Sequence, residues 1–580
     1  MSNRLTNIIA ACLLIFVFFI TVFSMKDDSV TMDEVAHLPA GYSYLTQKDM
    51  RLNPEHPPLI KDLAAFPLLF IKDINFPADI YDWKEDINGQ WGFGYNFLYQ
   101  RGNPVDQMIF WGRIPMILLL VLLGFFIFKF TRELFGNKAG ILALFLFSFS
   151  PTFLAHGRLV TTDVAAAFGA FIAIYYFVKA LQKPNGRNII IAGISLGIAE
   201  LLKFSLILLA PLLVFLTFIW WLIKSGNFLK TLKVLFLVGV IGFLLIWPIY
   251  QYHVWNYPPE RQASDTEFLL SSTPFPVVRE TLVWASTKPI LRPYAQYFLG
   301  IALITQRASG GHTTYFLGEI SAAGWKNYFP IVYLIKIPLA FHILTLIALF
   351  YAVWLIRKQF WQNTFSRAKN WVRNHFPEFA MISFIVLYWL TSLTSNLNIG
   401  VRHLLPVLPF TILLVSAVIL RLLKEPFLKL KYAFLGILIF WQAFSVISIY
   451  PHFLSYFNEL AGGPDQGYIY TVDSNLDWGQ DLKRLKNWVD EKGIDKIYVD
   501  YFGGGDAEYY LKEKYTPWWG TKDPQELPQG SYLAISATFL QGGRGEPAPG
   551  FDQPAGYYRW LNKYTPVTKI GYSIFVYYID

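Results

Sequence analysis

Charge is scarce in this 580-residue sequence, where Asp, Glu, Lys and Arg together make up 15%. A water-soluble chain of this size carries roughly 25%. Cysteine is almost absent. The single Cys12 lies in an apolar run, which excludes a disulfide framework and a cysteine-based metal centre. Nucleotide-binding signatures are also missing. There is no P-loop, no Rossmann fingerprint and no zinc-protease motif, and no convincing Asp-x-Asp for a soluble nucleotide-sugar donor. "YFGGGDAEYY" is Gly-rich but matches no nucleotide-binding pattern. No internal repeat of the kind found in inverted-repeat transporters stands out, and no long low-complexity linker.

What the sequence has is apolar: 54% of all residues are hydrophobic and 18% of all residues are aromatic, with a net charge of +9. Runs of roughly 18–22 apolar residues recur, each long enough to cross a bilayer. They predict an α-helical polytopic membrane protein with about 11 spans, near 6–24, 108–129, 139–155, 162–180, 188–202, 204–223, 231–250, 328–356, 379–396, 404–421 and 432–450. The fifth and sixth are separated by Lys203 alone and read equally as one bent unit. The connections 129–138, 179–187, 224–233, 357–375 and 421–431 hold 18 Lys/Arg against two acidic residues. By the positive-inside rule these are cytoplasmic. The excess positive charge therefore sets orientation and does not point to nucleic acid. Loop 25–107, with 13 acidic residues against seven basic ones, loop 251–327 and the tail then lie outside. The first segment lacks a small-x-small cleavage site and reads as an uncleaved anchor.

From about 451 the chain turns polar and Gly-rich. "KIYVDYF", "SYLAIS" and "IFVYYI" read as strands. "GQDLKRLKNWVDEKG" has helical spacing, with Gly493 as its stop. The expected organisation is a transmembrane domain over 1–450 and an extracytoplasmic α/β domain over 451–580.

Charged side chains near membrane spans are expensive and therefore candidates for function. Five groups converge on the outer span ends. They are Asp33, Glu34 and His37 in "MDEVAH"; Glu55, His56 and Lys61 in "NPEHPPLIK"; His156, Arg158 and Asp163 in "AHGRLVTTD"; Lys203; and Arg402 with His403 in "NIGVRH". Each has a structural alternative. Thr31 or Asp33 caps a helix, with Asp33 and Glu34 favoured by its dipole. Val35, Leu38, Tyr42 and Leu45 fit a helix lying on the membrane surface. His156 and Arg158 fit snorkelling anchors, Asp163 a cap, and Arg402 an interfacial cation. Glu34-x-x-His37 has metal-ligand spacing, but no second such pair is present. Carboxylates beside Arg and Lys suit a general base facing a phosphate. An outer-face enzyme has no access to cytoplasmic nucleotides, so its donor should be a lipid.

"MDEVAHLPAGYSYL", "LNPEHPPLIKDLAAFPLL", "AHGRLVTTDVAAAFGAF" and "GVRHLLPVLPF" together resemble the C-superfamily (GT-C) membrane glycosyltransferases. The similarity is to the bacterial phospholipid-carrier-dependent type, related to protein O-mannosyltransferases and the lipid A aminoarabinose transferase. "PHFLSYFNELAGGP" and "DSNLDWGQDLKRLKNW" resemble a bacterial subgroup, and the likeness covers roughly residues 1–490. It implies a bacterial inner-membrane enzyme that transfers a sugar from a polyprenyl-phosphate donor to an acceptor hydroxyl on a protein, lipid or glycan. It puts Asp33, with Glu34 beside it, at the transfer centre, and Glu55 and His56 near the carrier phosphate. The aminoarabinose transferases carry Glu-Lys-Pro there, so His56 is a departure.

Charge and topology add Lys61, His156, Arg158, Lys203, Arg402 and His403 as phosphate-binding candidates. Asp33 is the expected base, with Glu55 or Asp163 as fallback and an inverting displacement. A divalent cation such as Mg or Mn at Asp33 and Glu55 is compatible but not required. A transporter and a non-catalytic assembly or sensor protein are the rival classes; charge at span ends favours the enzyme, charge at the midplane the transporter.

Overall fold

The computed structural model describes residues 1–224, 227–357, 364–423 and 428–580. Parts of the expected cytoplasmic connections 224–233, 357–375 and 421–431 lie outside the described residues.

All the apolar stretches are helical, but not all are full spans. Among the described residues eight helices are long and apolar enough to cross a membrane. They include Asn3–Ser24, Val105–Phe135, Asp163–Gln182 and Phe228–His253. A ninth is Tyr328–Lys336 with Leu339–Leu355, if that pair, bent by 112°, is one span. The bend falls at Pro338, which cannot continue the ladder of hydrogen bonds. The expected count of about 11 is therefore not reached. The stretch 139–155 divides into Asn137–Ser148 and Pro151–His156, broken before Pro151, and Gly186–Leu202 has 17 residues. Lys203 is extended (φ −159°, ψ 130°) and separates Gly186–Leu202 from the turn Phe204–Leu208, so the fifth and sixth stretches are distinct elements.

Asp163–Gln182 is the most enclosed span. Its run "AAAFGA" explains why: small residues let helices approach closely. A Cβ on Gly169 would come within 3.1 Å of the Ala199 Cα. This packing brings the start of the helix, Asp163, against the Lys203 break.

The tail carries a five-stranded sheet in the order β4-β3-β5-β8-β7. β3 (Ile497–Asp500) pairs in parallel with β4 (Tyr515–Pro517) and β5 (Ser531–Ser536); β8 (Ile574–Ile579) is antiparallel to β5 and to β7 (Thr568–Ile570). The three expected strands are β3, β5 and β8. The helix Leu482–Glu491 follows the predicted periodicity and is followed by Gly493 at φ 62°. A small sheet joins three outer segments: β1 (Thr314–Phe316), β2 (Glu319–Ser321) and β6 (Glu546–Pro547).

The first part of the tail is continuous with the membrane part. Trp478, Leu482, Leu485 and Val489 lie in the apolar core that contains the spans, whereas Leu533, Ile535, Trp518 and Tyr577 form a separate core around the sheet. A buried ion network ties the two parts together: Arg484 meets Asp28 at 2.8 Å and Asp481 at 2.6 Å, and Arg158 meets Asp28 at 3.0 Å.

Candidate active site

The helix Met32–Gln47 begins with its own acids. The Glu34 carboxylate accepts from the Thr31 N–H at 2.9 Å and from its hydroxyl at 3.0 Å, satisfying donors that the helix start leaves free. The helix does not lie on the membrane surface as its apolar face suggested. Val35, Leu38 and most of the chain to Tyr44 are buried, enclosed by the helix Leu59–Ala65 and by "YFGGGD" of the tail. The glycines permit this approach: a Cβ on Gly504 would overlap the Thr31 carbonyl oxygen.

Asp33, one residue before Glu34, points the other way and keeps 24% of its side chain exposed. Its Oδ2 accepts from Arg402 Nη1 at 2.7 Å. The same Nη1 lies 3.3 Å from Asp163 Oδ2, and Asp163 Oδ1 accepts from Lys203 Nζ at 2.5 Å. Four residues from four separate elements thus form one chain of alternating charge. Burial pushes the Asp33 carboxyl up, but the charge and hydrogen bond of Arg402 together with His37 outweigh it, and the group is held below the ordinary carboxylate value. The Arg402 guanidinium also lies over the Trp478 ring at 4.2 Å.

Around this chain several buried polar atoms have no partner among the described residues: Arg402 Nε, His403 Nε2, His156 Nδ1, His56 Nδ1 and Thr161 Oγ1. Buried polar atoms are seldom left unpaired in a protein. Their concentration here marks a polar interior shaped for something else. The rings of His37 and His56 meet edge-on at 5.1 Å. Burial holds both below the usual imidazole value, which leaves them neutral at pH 7.

Other expected residues are engaged elsewhere. Glu34 is sealed: besides Thr31 it accepts from Arg113 Nη2 at 2.6 Å, Arg113 Nε at 2.8 Å and the Val160 N–H at 3.0 Å. All its acceptor directions are used, and it braces the site without facing it. Lys61 was expected near the phosphate, but its Nζ is enclosed and donates to Tyr44 Oη, the Asn53 carbonyl and Oδ1, and the His56 carbonyl, all at 2.8–2.9 Å. Burial pulls its ammonium down to about 7. Lys61 shapes the "NPEHPP" loop from inside. Arg158 is not a snorkelling anchor at an interface, and its guanidinium is already engaged. It is buried against Asp28 and donates to the Pro451 carbonyl at 3.3 Å. The Asp163 carboxylate turns to Lys203 and Arg402, and no side-chain cap bond starts its helix at Thr162. Arg402 is buried, not interfacial. Glu55 accepts from Gln90 Nε2 at 2.6 Å and Asn88 Nδ2 at 3.2 Å.

Sequence reasoning missed two contributors. Trp478 sits in "DSNLDWGQD", a stretch with three acids and an aromatic ring in nine residues, which is a recognisable signal in hindsight. Arg307 lies on Arg292–Gly310. That helix packs its Gly300 against the Phe204 ring and the Pro54 carbonyl. Arg307 is two turns further along the same face and within electrostatic reach of His56, His312 and His403. It has no ion pair or hydrogen bond among the described residues. No cluster of three or more His, Cys, Asp or Glu placed to hold a metal occurs among the described residues. Asp33 and Glu55 are also each held by other side chains.

Residues 105–252 match the model of the family described as dolichyl-phosphate-mannose-protein mannosyltransferase. No curated protein matches the sequence. Among solved structures, ArnT from Cupriavidus metallidurans bound to undecaprenyl phosphate aligns over 100% of this chain and 98% of its own, at 12% identity and TM-score 0.47. The S. cerevisiae protein O-mannosyltransferase complex bound to the sugar donor aligns over 44% of this chain and 34% of its own, at 19% identity and TM-score 0.34. The Archaeoglobus fulgidus oligosaccharyltransferase tethered with an acceptor peptide aligns over 92% of this chain and 69% of its own, at 12% identity and TM-score 0.48.

Proposed function

We propose that this chain, a multi-pass membrane protein of the GT-C glycosyltransferase type, transfers a sugar from a polyprenyl-phosphate carrier to an acceptor hydroxyl, with Asp33 as the base. The observation that carries this reading is the contrast within the buried cluster. Asp33 alone of its acids keeps an exposed face while being held ionised by Arg402. Position supports it as well. Asp33, Asp163 and Arg402 all lie in the first turn of their elements and Lys203 at a break, so the charge gathers at span ends and not at the midplane. The distribution of Lys and Arg among the connections supports an extracytoplasmic site, and the family resemblance alone points to a bacterial inner membrane.

In the step itself, the acceptor hydroxyl gives its proton to the Asp33 carboxylate as its oxygen bonds to the anomeric carbon. The bond from that carbon to the phosphate oxygen breaks, and the electron pair leaves with the carrier phosphate. A single displacement inverts the sugar's configuration. Charge balance assigns the cations. Asp33 and Asp163 already neutralise Arg402 and Lys203, so these four residues sum to zero. The negative charge of the donor phosphate then needs a further cation, and Arg307, exposed and without an ion pair among the described residues, is within electrostatic reach of His56 and His403. Stabilisation of the departing phosphate by fixed cations replaces a strong general acid.

The test is a labelled polyprenyl-phosphate monosaccharide panel incubated with membranes containing the wild-type protein. The expected result is acceptor-dependent release of carrier phosphate and a product of inverted anomeric configuration. Release of no carrier phosphate with any sugar, or a product that retains its configuration, would overturn the reading.

A further inference from the structure

We infer that Trp478, a tail residue, is a positioning residue of the active centre that fixes the Asp33–Arg402 pair from both sides. The inference rests on the transfer reading above. It extends the centre beyond the membrane helices to a turn some 445 residues from Asp33 in the chain.

Trp478 reaches each partner with a different group. Its ring stacks on the Arg402 guanidinium at 4.2 Å. Its carbonyl accepts from the Met32 N–H at 3.0 Å, at the start of the Asp33 helix. That bond satisfies an orphan donor of the first turn and fixes where Asp33 begins. The indole is almost wholly enclosed, with the His156 ring on a further side at 6.1 Å. A planar cation stacked on an aromatic face loses freedom of rotation while its N–H groups stay free to donate in the ring plane. Arg402 is therefore held flat, with Nη1 aimed at Asp33 and Asp163.

The turn before Trp478 grips the backbone that leads into Arg402. Asn475 Oδ1 accepts from the Val401 N–H at 2.9 Å, and Ser474 Oγ donates to the Ile399 carbonyl. Asn475 Nδ2 donates to Tyr328 Oη at 2.9 Å, and Lys336 Nζ donates to the Asn475 carbonyl at 2.5 Å. The fit is close enough to require glycine at 400, where φ is 149° and a Cβ would overlap Ser474 Oγ. These contacts lie outside the sheet, whose first strand begins at Ile497. All converge on the one arginine that bridges the two acids.

The experiment compares Trp478→Leu, Trp478→Phe and Asn475→Ser with wild type in the purified full-length protein. Three quantities are read: kcat/KM for the polyprenyl-phosphate sugar per folded molecule, the acid limb of its pH profile, and modification of Arg402 by phenylglyoxal, followed by peptide mass spectrometry. Asp33 is faced by Arg402, by His37 of its own helix, by Asp163, and at longer range by His312 and Asp473. Of these, Arg402 is the one Trp478 touches.

Loss of the stack is expected to lower kcat/KM at least tenfold in Trp478→Leu, to move the acid limb to higher pH, and to raise Arg402 modification at least fivefold. Trp478→Phe should stay within about threefold of wild type. Asn475→Ser should move all three readouts in the same direction by less, and it decides the matter if Trp478→Leu does not fold. Unchanged Arg402 reactivity and an unchanged acid limb in the folded variants would overturn the inference, as would a Phe variant as damaged as the Leu variant. Arg402 reactivity needs no turnover. A wild type that transfers no sugar would therefore refute the transfer reading, while the modification rates still decide whether Trp478 holds Arg402.

Discussion

Asp33 and Glu34 are neighbours in sequence, each paired with an arginine at under 3 Å, yet they belong to different parts of the molecule. The Glu34–Arg113 pair is closed on every side, with one carboxylate oxygen accepting two hydrogen bonds and the other three. The Asp33–Arg402 pair is open on one side and rimmed by polar atoms without partners. An ion pair by itself says nothing about function. What separates the two is whether the hydrogen-bonding capacity is used up.

The largest effect should come from breaking the closed pair. Arg113→Met leaves the Glu34 carboxylate buried and unpaired, which typically costs about 3–5 kcal/mol. The expected outcome is a collapse in folded yield and melting temperature, measured in detergent by fluorescence scanning, with the transfer rate per surviving folded molecule little changed. In the open pair, Arg402→Lys keeps the charge but loses the planar fork and the stack on Trp478. A fall of roughly 10²-fold in transfer is expected. Weaker pairing lets burial push the Asp33 carboxyl back up, so activity should be lost at a higher pH as the medium is acidified. A kcat/KM profile on the acid side checks the sign.

Lys61 sharpens the contrast further. Its three N–H donors are shared among four acceptors inside the protein. Lys61→Met should therefore lower the melting temperature while leaving KM for the lipid donor unchanged. A residue that bound the phosphate would raise KM instead. The smallest effect concerns Asp477, next to the stacking tryptophan, whose carboxyl burial pushes up to about 8. An acid with a folded value above its unfolded value of about 3.9 destabilises the fold as pH rises through that window. Asp477→Asn should accordingly raise the melting temperature above pH 8, with the gain shrinking to nothing near pH 4.

Much of this architecture was legible in the sequence, and the reasons are specific. The apolar runs of the spans, the period of Leu482–Glu491 and the alternation in β3, β5 and β8 are local signals, and they match the structure. The convergence of Asp33, Asp163, Lys203 and Arg402 was legible because each sits where a span ends. The division of labour among the charges was not. Nothing in "DE" separates a sealed acid from an open one, because Arg113 and the Val160 N–H that seal Glu34 come from elsewhere in the chain. Lys61 and Arg158 resembled phosphate ligands for the same reason: their partners, Asn53 and Asp28, look unremarkable in sequence. The surface-helix reading of Val35 and Leu38 failed because distant segments cover them: Gly504 of the tail lies against Thr31 and Val35, and Gly112 of the span Val105–Phe135 lies against Leu38. The span count was not confirmed: 139–155 breaks before Pro151, and the helix covering 188–202, Gly186–Leu202, has only 17 residues.

The most direct test of the account compares Asp33→Asn with Glu34→Gln in one experiment, reading both the sugar-transfer rate per folded molecule and the melting temperature. The account predicts that Asp33→Asn melts close to wild type and loses about 10²–10⁴-fold in rate. It predicts that Glu34→Gln melts markedly lower and keeps its rate within a few-fold. The reverse pattern, a fully active Asp33→Asn or an inactive but thermally unchanged Glu34→Gln, would contradict it.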